Sequence, residues 1–303
     1  MFQYKTFQWL FIFYMYCFLG WCFESAFVSI KSKEWINRGF MRGPFLPLYG
    51  SGATMMLVVS MPFQDNIVLT YVAGCIGATV LEYITGVTME ALFKVRYWDY
   101  SNRPYNFQGQ ICLRSTLTWG FFTVLMTRVL HWPIDRFVKS VPGRPLYYVT
   151  LFITVYIVID FTLSFKAALD IRDILVKIQR VKEEMVRMQR RLDVIVAFNN
   201  EDKDQKKQER ELSLAELSAG LKQRFAGLKE MILSKPSEYG EAVREEIAEL
   251  RGKFSNYPDP QENYEEMLDF YQRDMIHNNP SMASGKFKDA LDELKKMAES
   301  RKK

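Results

Sequence analysis

Residues 67–93 read IVLTYVAGCIGATVLEYITGVTMEALF, an apolar run with no Lys or Arg and only two charges, Glu82 and Glu90. A helix needs roughly 20 apolar residues to cross about 30 Å of hydrocarbon, so this stretch predicts a membrane span. An ionisable group at that depth costs at least about 2.5–3.5 kcal/mol and is normally shielded, paired or used. Gly74, Ala78, Glu82, Gly86 and Glu90 follow one another at steps of four, a row that stays near one helix face while drifting about 40° per step. Small residues let a neighbouring helix approach closely in a bilayer. Glu82 and Glu90 are therefore expected to point into a helix bundle, about 12 Å apart along the axis.

Working outward, four more apolar runs reach spanning length, which gives five expected spans near 7–30, 44–61, 67–93, 111–130 and 146–165. Lys5 precedes the first, but Glu24 and the lack of a small-x-small cleavage pattern mark it as a retained span rather than a signal peptide. Residues 1–165 hold 13 Lys and Arg against 8 Asp and Glu, whereas residues 166–303 hold 27 of each. The net charge of +5 thus lies entirely in the membrane half. With neither a basic stripe nor a reader motif, the second half is not expected to bind nucleic acid. One set of flanks carries Lys31, Lys33, Arg38, Arg42, Lys94, Arg96 and Arg103, and the other carries Lys5, Arg128, Arg136, Lys139 and Arg144. The positive-inside bias then puts the N-terminus outside and the C-terminal half in the cytoplasm.

Beyond the fifth span, Ile171, Ile174, Ile178, Val181, Met185, Met188, Leu192 and Ile195 recur at alternating steps of three and four. This heptad seam predicts a stalk helix over 166–198 that faces either a second copy, making a homodimer, or helices of its own chain. A cytoplasmic helical domain over 199–303 can supply the intrachain partner. After a charged linker at 199–210, Leu214, Leu217, Leu221, Phe225, Leu228 and Ile232 repeat at helical spacing. Pro236 ends that helix, and Val243, Ile247, Leu250 and Phe254 mark the next. Asp259 and Pro260 then open a helix to about His277, Asn278-Asn279-Pro280-Ser281 breaks it, and Phe287, Leu291 and Leu294 mark the last. The fold class is therefore all-α, a polytopic membrane helix bundle with a cytoplasmic helical and coiled-coil C-terminal domain over the membrane domain of residues 1–165.

Further polar groups gather around the two carboxylates. Glu24 lies one turn after Gly20, and the second span opens with two prolines and three glycines from Gly43 to Gly52, which disfavours a regular helix at its start. Irregular backbone at membrane depth is tolerated where it is buried or lines a wet cavity. Trp98-Asp99-Tyr100-Ser101 and Asn106 lie between the third and fourth spans, with Arg114 close behind to pair with Asp99 or Glu90 or to meet an anionic headgroup or substrate. The candidate binding site comprises Glu24, Glu82, Glu90, Trp98, Asp99, Tyr100, Asn106 and Arg114. The competing reading has each Glu protonated, or bonded to Arg114 or to Ser and Tyr hydroxyls, only fixing helix register. Asp160 reads as an interfacial charge beside a snorkelling Lys166. Cys17, Cys22, Cys75 and Cys112 have no metal-ligand spacing and read as buried thiols. No catalytic residue, metal or cofactor is assigned. The sequence carries no glycine-rich phosphate loop, so any ATP-driven step requires a separate ATPase subunit.

Trp21, Glu24, the run from Asn37 to Gly52, Glu82-Tyr83, Glu90, Trp98-Asp99-Tyr100-Ser101 and Asn106 with Gly109 resemble the bacterial ABC-transporter type IV, or CmpB-like, permease family over about residues 6–165. The resemblance implies a multi-span protein of the bacterial inner membrane. The first functional expectation is a transport or permease-like subunit whose carboxylates bind a cation or proton. The alternatives are a membrane-embedded enzyme acting on a lipid or isoprenoid, with Glu90 or Asp99 as general acid or base, and a membrane-anchored helical scaffold or signalling protein.

Overall fold

A computed structural model describes residues 3–197, 213–234, 241–257 and 268–300. The chain is all-α, and the strands among the described residues are the two-residue pair β1 (Asn106–Phe107) and β2 (Ile111–Cys112). Helices α1 (Thr6–Ser32), α2 (Pro47–Ser60), α3 (Ile67–Phe93), α4 (Leu113–Leu125) and α5 (His131–Ser140) precede the long α6 (Gly143–Ala197). Among the described residues α7 (Leu214–Ser234), α8 (Glu241–Ser255), α9 (Phe270–Asn278) and α10 (Lys288–Ser300) follow.

Among the described residues three helices, α1, α3 and α6, are long and apolar enough to cross a membrane, which corrects the expected five spans. The apolar runs near 44–61 and 111–130 both exist, but neither forms one long helix. Pro47 sits in the first turn of α2 and Pro62 follows its end, leaving 14 residues, about 21 Å of helix against about 30 Å of hydrocarbon. The fourth run loses Ile111 and Cys112 to β2, and its α-helical register gives way to a π turn over Met126–Leu130 before α5. α2 packs between α1 and α3, and α4 packs along α3.

The expected small-residue row is the packing face of α3: Gly74, Ala78, Glu82 and Gly86 are buried, together with Thr70. A Cβ on Gly74 would stand 2.2 Å from Thr123 Oγ1 on α4, so that crossing requires glycine. α1 and α2 meet the same way, a Cβ on Gly20 falling 2.4 Å from the Tyr49 Cβ. Asn66 caps α3 by accepting from the Leu69 amide at 3.1 Å, and left-handed Lys94 closes it.

The chain divides into two compact units, Met1–Ile171 with Tyr271–Gly285, and Arg172–Phe270 with Lys286–Lys303. The first therefore includes a short segment that the sequence reading groups with the C-terminal domain. In the second unit the heptad positions Ile174, Ile178, Val181, Met185, Met188 and Leu192 are buried, as are Leu214, Leu217, Leu221, Phe225 and Leu228 of α7. The seam is covered within one chain. Lys182 of α6 reaches Glu293 of α10 at 3.8 Å, and Glu293 accepts the Leu214 amide at 2.8 Å. Burial raises the Glu293 carboxyl above its ordinary range, against the pull of that amide and of Lys182. The linker at 199–210, the Pro236 stop and the Asp259-Pro260 start lie outside the described residues, as does the Ile195 side chain.

Candidate functional site

Glu82 is 7% exposed in the middle of the α3 packing face. Tyr100 Oη donates to its Oε1 at 3.1 Å, while Ser115 Oγ and Trp119 Nε1 donate to Oε2 at 3.2 and 3.0 Å. Tyr100 comes from the loop after α3, and Ser115 and Trp119 are one turn apart on α4. The capping turn of α4 holds Ser115, whose backbone amide donates to Cys112 Sγ at 3.4 Å. All three donors are neutral. They satisfy the carboxylate's lone pairs without supplying a countercharge, and no ion pair to Glu82 occurs among the described residues. Burial, followed by the neighbouring carboxylate, raises the Tyr100 phenol above its ordinary value and keeps it a donor.

Glu24 occupies the facing helix in a different setting. Tyr49 Oη donates to its Oε2 at 2.6 Å, and Arg38 Nε lies 3.6 Å from Oε1. Arg38 is itself held from the far end of the sequence: Nη1 donates to Asn279 Oδ1 at 3.0 Å and Nη2 to Ser281 Oγ at 2.7 Å. Asn279 Nδ2 returns a bond to the Gly39 carbonyl at 2.9 Å. The segment Tyr271–Gly285 is thus a built part of the first unit. It also pairs Ala283 with Arg96 through both backbone amides, and places Asp274 and Tyr271 against Arg42.

Glu90 and Asp99 share one cation, Arg96. Its Nε lies 2.8 Å from Glu90 Oε2 and its Nη1 3.6 Å from Asp99 Oδ1. Gln110 Nε2 adds a bond to Glu90 at 2.6 Å. Partial burial opposes ionisation of Asp99, but the Ser101 hydroxyl and amide, helped by Arg96, hold its carboxyl below the usual range. Asn106 ties the hairpin together, donating to the Arg103 carbonyl at 2.7 Å and accepting from the Gly109 amide at 3.1 Å. Gly109 has φ +70, a conformation that glycine adopts without strain. Trp98 Nε1 closes the same loop on the Gln110 carbonyl at 3.0 Å.

Of the eight candidate residues, Glu24, Glu82, Trp98 and Tyr100 line one cavity of about 490 Å³, with Arg38, Tyr49, Trp119 and Asn279 also in its wall. Glu90, Asp99 and Asn106 instead build the loop beside it. Arg114 is exposed on the outer face of α4 and pairs with neither Asp99 nor Glu90, because Arg96 takes that place. The interfacial reading of Asp160 is also corrected. It is buried and accepts the Gly43 amide at 2.8 Å, pinning the irregular start of the second apolar run, while Lys166 is exposed. Sequence reasoning missed Arg38, Arg96, Gln110, Trp119 and Asn279. Arg96 was legible only as a flank charge and Arg38 only as a flank charge within the run that carries the family resemblance, and nothing local in Asn279 signals a partner some 240 positions away. Among the described residues no group of three His, Cys, Asp or Glu side chains is placed to hold a metal.

No curated protein and no solved structure matches the chain. A family profile matches residues 11–165, the stretch that supplies every cavity residue named above except Asn279. With more than half of its length matched and three helices able to cross a membrane, this chain is a membrane protein that belongs to the family described as "Putative ABC-transporter type IV".

Proposed function

We propose that the chain is a transport or permease-like subunit in which the cavity between Glu24 and Glu82 binds a cation or a proton. The observation that carries this reading is the state of Glu82, a buried carboxylate on a cavity wall, with three neutral donors and no countercharge. Glu90, by contrast, has its charge already matched by Arg96, whereas the hydroxyl and indole donors around Glu82 leave its charge for a ligand to match. Aromatic rings of Trp98, Tyr100 and Trp119 around the same space suit an organic cation as well as an inorganic one. With no phosphate-binding loop in the sequence, coupling to ATP falls to a separate ATPase subunit, which the family description supports. In this reading the protein sits in a bacterial inner membrane, N-terminus outside, with α7, α8 and α10 in the cytoplasm. A homodimer through the stalk has the seam already buried against it.

Trp119 reports directly on Glu82. The test titrates the purified chain in detergent with sodium, potassium and tetramethylammonium, and separately with acid, following the emission that is lost in Trp119→Phe. A saturable change for one of these, abolished in Glu82→Gln, supports the site. No change for any cation or for protons overturns it. The scaffold reading is favoured for Glu90, Asp99 and Asn106, whose bonds all serve the hairpin.

A further inference from the structure

The three residues that donate to Glu82 have a second face. Tyr100, Ser115 and Trp119 also line an outer cleft of about 290 Å³, together with Arg103 and Arg114. A neighbouring groove of about 460 Å³ shares Arg114 and Thr118 and runs along Leu113, Leu117 and Phe121. Those three apolar side chains are 48%, 48% and 60% exposed at steps of four along α4. α4 packs along α3, a helix able to cross the membrane, so this stripe faces acyl chains rather than water. It covers about 12 Å of helix.

At one end of the stripe stand two guanidinium groups, Arg103 and Arg114, with no carboxylate in either lining. The described residues contain no ion pair to either, and the neighbouring carboxylates Glu90 and Asp99 are held by Arg96. Arg114 stands in the N-terminal turn of α4 and Arg103 lines the same cleft, where the partial positive charge of that turn acts in the same direction. Guanidinium forks match phosphate oxygens in geometry and charge. An apolar stripe ending in two unpaired guanidinium groups is complementary to an amphiphile with an anionic head.

We infer that this cleft binds an anionic phospholipid, its phosphodiester held by Arg103 and Arg114 and an acyl chain laid along Leu113, Leu117 and Phe121. The bound head then lies against the residues that hold Glu82, one side-chain layer from the cavity. The inference needs only that α3 crosses the bilayer, and it stands or falls independently of cation binding at Glu82.

The test is native mass spectrometry of the full chain released from detergent with dioleoyl-phosphatidylglycerol or dioleoyl-phosphatidylcholine. The wild type is expected to retain phosphatidylglycerol over phosphatidylcholine, and Arg103→Gln with Arg114→Gln to lose about fivefold in retention per charge removed. Thr118→Trp, which fills the wall common to both clefts, is expected to lose it with the charges intact. Equal retention of the two lipids, equal retention by the wild type and the double variant, or displacement of the lipid by millimolar inorganic phosphate would each overturn the proposal. A photoactivatable phosphatidylglycerol on the wild-type chain gives the answer without any variant. Labelling within 113–121 supports the cleft, and labelling only elsewhere rejects it.

Discussion

Arg38 Nη1 stands 3.0 Å from the side-chain oxygen of Asn279, 241 positions further along the chain. Through Arg38 this contact reaches Glu24, so a residue late in the sequence helps to position the cation that faces a carboxylate on the cavity wall. Asn279 is 1% exposed and uses both ends of its amide, accepting from Arg38 and donating to the Gly39 and Met275 carbonyls.

Asn279→Ala is therefore expected to destabilise the first unit by about 1–3 kcal/mol, the cost of leaving buried partners unsatisfied. Ser281→Ala removes two bonds of an exposed residue, the one accepted from Arg38 and the one donated to the Tyr97 carbonyl at 3.0 Å, and is expected to cost about 1 kcal/mol, less than Asn279→Ala. Thermal unfolding in detergent ranks the two. Equal effects would show that 278–284 is merely tethered and not a built wall.

The carboxylates of α3 should separate in the same assay. Glu82→Gln replaces one acceptor oxygen with an amide N–H₂, which either meets the donor-only indole N–H of Trp119 or makes the Tyr100 hydroxyl give up its donated bond, and is expected to cost about 1–3 kcal/mol. Glu90 is one-third exposed, and Arg96 keeps Asp99 when Glu90 is changed, so Glu90→Gln is expected to cost about 1 kcal/mol or less. The reverse order would show that the donor set around Glu82 contributes less to the fold than the Glu90–Arg96 pair does.

These contrasts show which parts of the molecule the sequence makes legible. The period of the α3 row was enough to bury Gly74, Ala78, Glu82 and Gly86 together, because helix geometry alone decides which residues share a face. The shortened α2 was half legible, since Pro44 and Pro47 forecast its irregular start but Pro62 was needed to explain its end. The pairing of Arg96 with Glu90 was invisible for another reason. Arg96 and Arg114 flank the same loop with the same charge, and the choice between them rests on the fold of 105–112, where Tyr105, Gln108 and Gly109 are left-handed and beyond which Arg114 lies exposed on α4. Contacts made by 271–285 depend on chain return over long separations, for which periodicity carries no signal.

A second polar cluster predicts acid sensitivity. His131 is fully buried at the start of α5, with Tyr4 Oη 2.8 Å from Nε2 and Tyr16 Oη 2.8 Å from Nδ1. Asp135, bonded to Tyr4 and paired with Lys139 at 2.7 Å, is the nearby charge. Burial lowers the imidazole from 6.5 to about 4, although Asp135 pulls the other way. The folded state therefore holds the neutral ring while the unfolded chain protonates. This contribution is complete above about pH 6.5 and is lost as pH falls toward about 4, roughly 3 kcal/mol in all. Melting temperatures in detergent should drop across that window, and His131→Gln should flatten the drop while lowering stability at neutral pH. A wild-type profile that stays level from pH 7 to 4 would contradict a buried neutral ring.

Glycine substitutions along the α1, α2 and α3 crossings test the packing at single-atom scale. Gly20→Ala would put a Cβ 2.4 Å from the Tyr49 Cβ, and Gly74→Ala would put one 2.2 Å from Thr123 Oγ1 and 2.4 Å from its Cβ. In each case a neighbouring side chain's Cβ, rather than a flexible chain end, is among the groups that must move. Each change is expected to cost about 1–3 kcal/mol by overpacking. Gly52 shares α2 with Tyr49, but a Cβ there meets nothing within 4 Å. Gly52→Ala is therefore expected to be neutral or to stabilise by up to about 1 kcal/mol, since alanine loses less backbone freedom in a helix. It lies on the cavity wall, so the added methyl also reports on the space inside. A ligand that fills the cavity next to α2 should bind Gly52→Ala more weakly than the wild type while the protein itself melts no lower.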